Sequence, residues 1–311
     1  MALWCWRPKN DESRQPIASV LWELSGAGTF SVMRVSLVLC CCVLLIGCTQ
    51  IFFQPDPNIV QTPADTGYEY EDVFPIASDG VQLHSWLIQP NLEDGESVEG
   101  IVYFLHGNAQ NISWHYHSVR WFLEAGYLVY ALDYRGYGRS SGIANIPAVY
   151  DDISAGFQWL SSQPQYLAAS ANDKPRVLFG QSLGASLGIN WLANEQSAQE
   201  SLTHMIADSG FSRFSTVARE VANSHWLTWL FQYPAQWFLS DERDPVQSIE
   251  SVSLPILLVH SKDDTVVRYH HSEILLSAGS NEVELLSGQG PHIAAFRSAE
   301  LRESALSWLK E

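Results

Sequence analysis

The stretch RVLFGQSLGASLG, residues 176–188, determines how the rest of the chain is interpreted. Its first four residues are typical of a short strand, and the small residues after Gly184 begin a helical pattern. Between the two lies a G-x-S-x-G sequence centred on Ser182. A sharp connection of this kind needs glycines where the backbone passes close to itself, and it pushes the serine hydroxyl out at the carboxyl end of a sheet. We therefore predict that Ser182 is a nucleophile; the alternative is an ordinary turn between a strand and a helix.

The segments around this turn alternate between strand-like and helical patterns. Apolar runs typical of strands lie at 73–77 and 81–88 (joined by a tight turn at Asp79-Gly80), 100–105, 127–132, 176–179, 204–207, 256–260 and 283–286. Apolar residues three to four apart predict helices at 114–125, 147–160, 183–194, 270–278 and 296–309. This alternation predicts an α/β fold in which helices cover both faces of a mostly parallel central sheet. We expect one domain over residues 67–311.

Composition excludes several classes of function. The chain has 311 residues, of which 46% are hydrophobic, and a formal net charge of −17. Such a negative field repels phosphate backbones, so we expect no nucleic-acid partner. All five cysteines lie at or before Cys48. The globular body therefore has no internal disulfide, no cysteine-rich metal site and no cysteine nucleophile.

An uncharged apolar run, VSLVLCCCVLLIG at residues 35–47, follows Arg34 directly. The run is too short to span a bilayer, which needs ~20 residues, and it is typical of a secretory signal peptide. Its end, Leu45-Ile46-Gly47-Cys48, resembles the lipobox of bacterial lipoproteins. That resemblance implies cleavage before Cys48, acylation of the Cys48 thiol and a lipid anchor in a membrane of a bacterial cell envelope. The alternatives are a buried apolar helix and an uncleaved signal anchor.

The residues on both sides of this run complete the predicted leader. Translation from Met33 would give the signal a short basic start, so we expect residues 1–32 to be an upstream extension and 33–47 the signal peptide. Residues 48–66 contain three prolines and few periodic apolar positions. This composition predicts an extended tether ahead of the folded body.

Two further loops follow predicted strands and carry chemically useful groups. His106-Gly107-Asn108 follows the run at 100–105, where a second oxyanion donor is expected in this architecture. We predict that the backbone N–H groups of Asn108 and Leu183 form the oxyanion hole and that His106 is structural. Asp263 and Asp264 follow the run at 256–260, and His292 follows the run at 283–286 in a glycine-rich loop. The order serine, aspartate, histidine suits a catalytic triad, with either aspartate as the acid.

With these motifs in place, the sequence resembles the α/β-hydrolase superfamily, in particular the ABHD-like serine hydrolases with a His-Gly-Asn oxyanion loop. The matching stretches are LHGNAQN (105–111), DYRGYGRSSG (133–142), GQSLG (180–184), HSKDDTVV (260–267) and GPH (290–292). The family pattern His-Gly-x-x-Asp-x-x-Val-Pro selects Asp264 over Asp263. Ser261 and Arg268 stand where the family has glycine and proline. The resemblance implies an α/β-hydrolase fold with a short helical cap insertion at about 211–253, and the triad Ser182, His292 and Asp264.

The remaining aromatic and histidine residues allow more than one interpretation. Trp226, Trp229 and Trp237 lie in the expected cap, where they either line an acyl pocket or pack the cap onto the body. The i, i+2 spacing of His115 and His117 on a predicted helix points the rings apart, which predicts a solvated face. His270-His271 has no partner cluster in the sequence. We therefore expect no metal and no cofactor.

These residues predict a serine hydrolase that cleaves carboxylic esters or thioesters through an acyl-enzyme. The expected substrate is a small-molecule or lipid-linked acyl compound. A peptidase or amidase on the same triad is the closest alternative. A binding protein of the envelope that kept the fold without catalysis belongs to another class, since fold alone does not fix function.

Overall fold

An eight-stranded β-sheet organises the part of the chain that the computed structural model describes, residues 52–93, 95–224, 244–280 and 282–311. The strands are β1 (Gln54–Pro55), β2 (Tyr70–Val73), β3 (His84–Ile88), β4 (Gly100–Leu105), β5 (Ala109–Gln110), β6 (Tyr127–Asp133), β7 (Arg176–Gln181), β8 (His204–Asp208), β9 (Ile256–Ser261) and β10 (Val283–Gly288). The sheet order is β10-β9-β8-β7-β4-β6-β3-β2, parallel from β10 to β6, with β3 antiparallel to both neighbours. β1 and β5 form a separate parallel pair.

Helices cover both faces of this sheet. They span Ile112–His115, Arg120–Glu124, Ala148–Ser161, Pro164–Ala171, Leu183–Asn194, Gln196–Ser201, Phe214–Ser224, Pro245–Ser248, His270–Ala278 and Ala299–Trp308. Short 3-10 helices span Pro63–Thr66, Tyr116–Ser118, Ile249–Ser251 and Ala295–Arg297. Successive strand residues point to opposite faces, so Tyr103 joins one buried cluster and Phe104 the other. Because every residue of β4 is buried, this strand is apolar throughout. The predicted α/β class and mostly parallel sheet are confirmed.

The predicted boundaries are most accurate where the apolar pattern is strong. The helices at 183–194 and 270–278 begin and end as predicted. The single helix predicted at 114–125 is wrong, since two short helices and a 3-10 turn occupy this region. There the Val119 N–H donates to the Tyr116 carbonyl, a three-residue spacing that tightens the helix. The helix Pro164–Ala171, with proline in its first turn, was not predicted.

The tether predicted at 48–66 is wrong from Phe52 onward. Phe52 and Phe53 are buried, and the Phe52 ring packs edge-on against Phe214. The next two residues form β1, which pairs with β5. The apolar gain from burying two adjacent phenylalanines explains why this proline-containing segment lies on the body. The folded body therefore begins no later than Phe52, ahead of the predicted start at residue 67.

Several sequence predictions lie outside the described residues. These are Cys48, the signal peptide at 33–47, and the cap tryptophans Trp226, Trp229 and Trp237. The described ends of the predicted cap are the helices Phe214–Ser224 and Pro245–Ser248. Among the described helices, none combines the length and the hydropathy that crossing a bilayer requires.

Candidate active site

Ser182 lies in a strained turn between β7 and the helix Leu183–Asn194. Its φ of 53° and ψ of −113° lie in a region that residues other than glycine rarely adopt. The Ser182 N–H donates to the Asp208 carbonyl at the end of β8, at 2.7 Å. The side chain is thereby presented at the carboxyl edge of the parallel strands.

Two glycines make this turn sterically possible. A Cβ on Gly180 would lie 2.6 Å from backbone atoms of Ala185, and one on Gly184 would lie 2.1 Å from the carbonyl oxygen of Leu105. Both distances are below any tolerable contact with backbone. The G-x-S-x-G spacing therefore follows from close approaches between the helix, the turn and β4.

The structure brings together the three residues predicted as a triad. The Nε2 atom of His292 lies 2.8 Å from Oγ of Ser182, and its Nδ1 atom lies 2.6 Å from Oδ2 of Asp264. Ser182 and Asp264 are buried, and the side chain of His292 is 17% exposed. This is the geometry in which a histidine can remove the serine proton while a carboxylate orients the ring.

Asp264 is held as an ionised carboxylate. Its Oδ1 atom accepts the N–H groups of Val266 at 2.9 Å and Val267 at 3.0 Å. Burial alone raises the pKa of Asp264, but hydrogen bonds from His260 and His292 and the Val266 N–H lower the pKa well below its usual range. The carboxylate therefore stays charged beside His292.

Asp263, the other candidate acid, faces elsewhere. It is exposed, and its Oδ2 atom accepts the Gly290 N–H at 3.1 Å. The neighbouring Ser261 hydroxyl donates to the Gly290 carbonyl. Asp263 and Ser261 therefore fix the loop that leads to His292, while Asp264 contacts the imidazole itself.

His260 is a member of the site that the sequence did not single out. It is fully buried at the end of β9, and its Nε2 atom lies 2.8 Å from the carbonyl of Val267. Because a carbonyl only accepts, this nitrogen carries a hydrogen, and the same nitrogen lies 3.3 Å from Asp264 Oδ2. Ser272 lies 2.6 Å from the other ring nitrogen. The sequence feature that could have identified His260 is its i, i+4 spacing from Asp264.

The loop that carries Asn108 is fixed on both sides of that residue. Nδ1 of His106 donates to the Gly107 carbonyl at 2.8 Å, which sets the plane of the peptide that contains the Asn108 N–H. The Asn108 carbonyl accepts from the Gln54 N–H at 2.7 Å and the Tyr137 hydroxyl at 2.6 Å. A Cβ on Gly107 would lie 3.7 Å from Cβ of Ser182, so the loop adjoins the serine. An oxyanion donor requires such a rigid backbone next to the nucleophile.

The DYRGYG segment supports this loop from behind. The Tyr134 hydroxyl donates to the His106 carbonyl at 3.0 Å, as Tyr137 does to the Asn108 carbonyl. The buried Asp133 accepts the Ile112 N–H at 2.8 Å and lies 3.2 Å from Nδ1 of His84. Burial raises the pKa of Asp133, but hydrogen bonds from His106 and His84 outweigh it and lower the pKa.

The structure corrects two predictions about histidines. His115 was predicted on a solvated face, but its ring is buried and stacks on His106. It turns inward because its Nε2 atom donates to the Ala109 carbonyl at 2.9 Å, and burial lowers the pKa of His115 to about 4. His117 is exposed, as predicted. His270 and His271 were expected to lack a partner, but Glu220 lies beside both because the fold brings a distant helix to them.

A cavity of about 560 Å³ opens beside His292 and is rich in arginine. Arg120, Arg297 and Arg302 line it, with Glu124 as its single acidic residue. Glu124 pairs with Arg120 at 3.1 Å. Among the described residues, Arg297 and Arg302 form no ion pair. The cavity therefore carries positive charge in a chain whose net charge is −17.

Comparison with known proteins assigns this architecture to a class. The model of the family described as serine aminopeptidase, S33, matches residues 96–244. The uncharacterized protein YfhR of Escherichia coli O157:H7 is 31% identical over 271 residues, which cover 85% of this chain and 88% of YfhR. The lysophosphatidylserine lipase ABHD12 of Mus musculus is 29% identical over 189 residues, 56% of this chain and 44% of ABHD12.

A solved structure shows the same fold. The esterase Pf2001 of Pyrococcus furiosus superposes with a TM-score of 0.65 at 23% identity, and the match covers 83% of this chain and 97% of the esterase. Sheet order, serine turn and this likeness define an α/β-hydrolase fold, as predicted. The chain belongs to the α/β-hydrolase superfamily, in the family that includes YfhR.

Proposed function

We propose that this protein is a serine hydrolase that cleaves carboxylic esters or thioesters through an acyl-enzyme. One observation carries the proposal: Ser182, His292 and Asp264 form a continuous chain of contacts at 2.8 and 2.6 Å. The last member of this series of contacts is the carboxylate of Asp264, which is buried and stays ionised. A structural serine on a βα turn needs neither the histidine nor the carboxylate.

The proposed reaction has two halves. Nε2 of His292 takes the Ser182 proton while Oγ attacks the acyl carbonyl, and the N–H groups of Leu183 and Asn108 stabilise the oxyanion. The carbon–oxygen or carbon–sulfur bond then breaks, and His292 returns the proton to the leaving alcohol or thiol. Water, deprotonated by the same nitrogen, hydrolyses the acyl-enzyme and releases the acid. Throughout, Asp264 holds the proton on Nδ1 of His292 and stabilises the imidazolium.

Relatives support this reaction and also the closest alternative. A lysophosphatidylserine lipase and the Pyrococcus furiosus esterase both act on esters by their names. The matching family description, serine aminopeptidase, favours cleavage of an amide bond on the same residues. A non-catalytic binding protein would not need a strained serine turn with a contacting histidine.

The cavity beside His292 favours acyl substrates that carry an anionic group. Arg297 and Arg302 are free to pair with a phosphate or carboxylate, for which guanidinium is well suited. The name of ABHD12 refers to an anionic lysophospholipid. We therefore include lysophospholipids with acidic headgroups in the proposed substrate class.

The proposal also includes a lipid anchor on Cys48 and a place in a bacterial cell envelope. It rests on the apolar run at 35–47 and on the Leu45–Cys48 motif. An anchored hydrolase would act on lipids of the same membrane or on soluble esters at its surface. Activity does not depend on this part of the proposal.

Hydrolysis of p-nitrophenyl esters from acetate to palmitate, with p-nitroanilides of the same acids, tests the reaction. We expect ester turnover and little anilide turnover, whereas preferred cleavage of anilides would favour the amidase. Each buried CH₂ contributes ~0.8 kcal/mol, so an acyl pocket makes kcat/KM rise with chain length until the pocket ends. If the cap lines this pocket, Trp229→Ala or Trp237→Ala should shift the acyl-chain length at which kcat/KM is highest. If the cap only packs onto the body, both variants should lose stability and keep the chain-length profile of the unmodified protein.

A matched pair of lipids tests the headgroup. Lysophosphatidylserine and lysophosphatidylcholine with the same acyl chain differ in net charge but not in the bond to be cleaved. We expect preference for the serine lipid, and we expect Arg302→Gln to reduce that preference through KM. Arg139→Gln, which removes an arginine that pairs with Asp72 outside the cavity, is the control. Equal use of both lipids by the unmodified protein would contradict the anionic class.

A further inference from the structure

Glu220, His270 and His271 converge from two helices that are distant in sequence. Oε1 of Glu220 lies 3.5 Å from Nε2 of His270, and Oε2 lies 3.4 Å from Nε2 of His271. One ligand atom from each residue lies within 4.8 Å of the other two. We propose that these three residues form a binding site for a divalent transition-metal ion, Zn²⁺ in the first instance.

Two separations in this cluster are close to those between the ligands of a zinc ion. Zinc binds imidazole nitrogen and carboxylate oxygen at about 2.0–2.2 Å, so tetrahedral ligands lie about 3.3 Å apart. The separations of His270 and His271 from Glu220, each to a different carboxylate oxygen, are close to this value. They are long for direct hydrogen bonds between the same atoms. Glu220 therefore lies at a distance from each histidine that suits a shared ion better than a direct hydrogen bond.

The innermost atoms of the cluster have no other partner. His271 is fully buried, and its Nε2 atom has no hydrogen-bond partner among the described residues. The same holds for Oε2 of Glu220, which faces it. Buried polar atoms are rarely left unpaired, because each has lost its contacts with water. An ion between Nε2 and Oε2 would satisfy both.

Ser212 orients His271 from the other side of its ring. Its hydroxyl oxygen lies 2.8 Å from Nδ1 of His271, and its backbone N–H donates to the same nitrogen at 3.2 Å. Because a backbone N–H only donates, Nδ1 is an acceptor here, and the neutral ring carries its proton on Nε2. An ion that binds Nε2 would displace that proton. The two contacts with Ser212 fix the ring so that Nε2 faces Glu220.

The ligand chemistry and exposure indicate the type of ion. Two imidazoles and one carboxylate favour zinc and similar transition metals over Mg²⁺ and Ca²⁺, which prefer oxygen ligands. The side chain of His270 is 39% exposed, and that of Glu220 is 14% exposed. This side gives the ion a path of entry and leaves a position for water.

Metal binding here would connect two elements of the fold. Glu220 lies on the helix Phe214–Ser224, and the two histidines begin the helix His270–Ala278. The second helix also carries Ser272, which contacts His260 behind Asp264. None of the three ligands contacts Ser182 or His292 in the described structure, so the ion has a structural role. An ion that binds only the folded chain raises its melting temperature.

Calorimetric titration of the tag-free full chain with Zn²⁺ tests the site. We expect one bound equivalent and a higher Tm in the presence of Zn²⁺. Loss of a direct ligand in His270→Ala or Glu220→Gln should weaken binding by more than about 100-fold, beyond the ~10–100-fold typical of an outer partner. His270 is partly exposed, so its replacement should leave the metal-free Tm unchanged.

Two control variants locate the ion. His117→Ala removes an exposed histidine elsewhere, and His292→Asn removes the histidine beside Ser182. Both should retain one equivalent of Zn²⁺. Unchanged affinity in His270→Ala, loss of binding in His292→Asn, or no saturable binding by the unmodified chain would each overturn the proposal.

Discussion

The Nε2 atom of His260 lies 3.3 Å from Oδ2 of Asp264, the carboxylate oxygen that is also 2.6 Å from Nδ1 of His292. One oxygen of Asp264 thus lies between two imidazoles, and the other accepts two backbone N–H groups. The carboxylate is held from several directions in a buried environment. Its position is therefore set by the fold around it and not by His292 alone.

Replacing His260 should impair catalysis without removing a reacting group. His260→Leu removes an N–H group that lies beside a buried carboxylate; a well-formed hydrogen bond to such a charged group contributes about 1.5–3 kcal/mol. At 3.3 Å the contact is weaker, so we expect kcat to fall about ten-fold with KM nearly unchanged. Ser272→Ala is the control, because it removes only the partner of the other ring nitrogen. Steady-state kinetics of both variants measure this difference. Equal losses of kcat in His260→Leu and Ser272→Ala would indicate that His260 only supports the fold.

The two adjacent aspartates should differ strongly in their effects. Asp264→Asn removes the group that fixes the tautomer of His292, so we expect kcat to fall by up to about 10⁴-fold, as for a triad aspartate. Asp263→Asn should have a much smaller effect, since the Asp263 carboxylate accepts the Gly290 N–H and does not contact His292 in the described structure. Kinetics on one p-nitrophenyl ester measure both. The opposite order would assign the acid to Asp263.

Asp264 should also contribute to stability in a defined pH range. The pKa of Asp264 is lower in the folded chain than the value of about 3.9 for an unfolded aspartate. Its contribution is therefore fully present above about pH 4 and is lost as the pH falls toward the folded pKa, because the unfolded state takes up a proton first. We expect the stability difference between the unmodified protein and Asp264→Asn to shrink below about pH 4. Urea denaturation over that range measures it, and a constant difference would contradict the assignment.

Much of this architecture could be predicted because it depends on short-range patterns. The turn at Ser182 follows from glycine spacing, and the buried strand β4 follows from its unbroken apolar run. Packing partners distant in sequence could not be predicted in this way. The contact of Gln54 with the Asn108 carbonyl depends on how Phe52 and Phe53 are buried, and local composition there indicated only a tether. The meeting of Glu220 with His271 likewise depends on the packing of two helices.

The lipid anchor can be tested separately from catalysis. Cys48→Ser removes the thiol that the predicted lipobox would acylate, so we expect the protein to leave the membrane fraction or to remain unprocessed. A single myristoyl-length chain binds membranes only marginally, so a stable anchor implies more than one chain. Fractionation followed by mass spectrometry of the mature amino terminus measures this. An unmodified Cys48 in membrane-bound protein would rule out the anchor.

The central claim is that Ser182 is the nucleophile, and covalent labelling tests it most directly. A fluorophosphonate reacts with a serine that an adjacent base activates, so intact-mass analysis should show one adduct per chain in the unmodified protein. Peptide mapping should place that adduct on Ser182, and Ser182→Ala should show no adduct and no ester hydrolysis while keeping the Tm of the unmodified protein. An adduct of equal yield on Ser182→Ala, or no adduct on the unmodified protein under conditions where it hydrolyses esters, would contradict the claim.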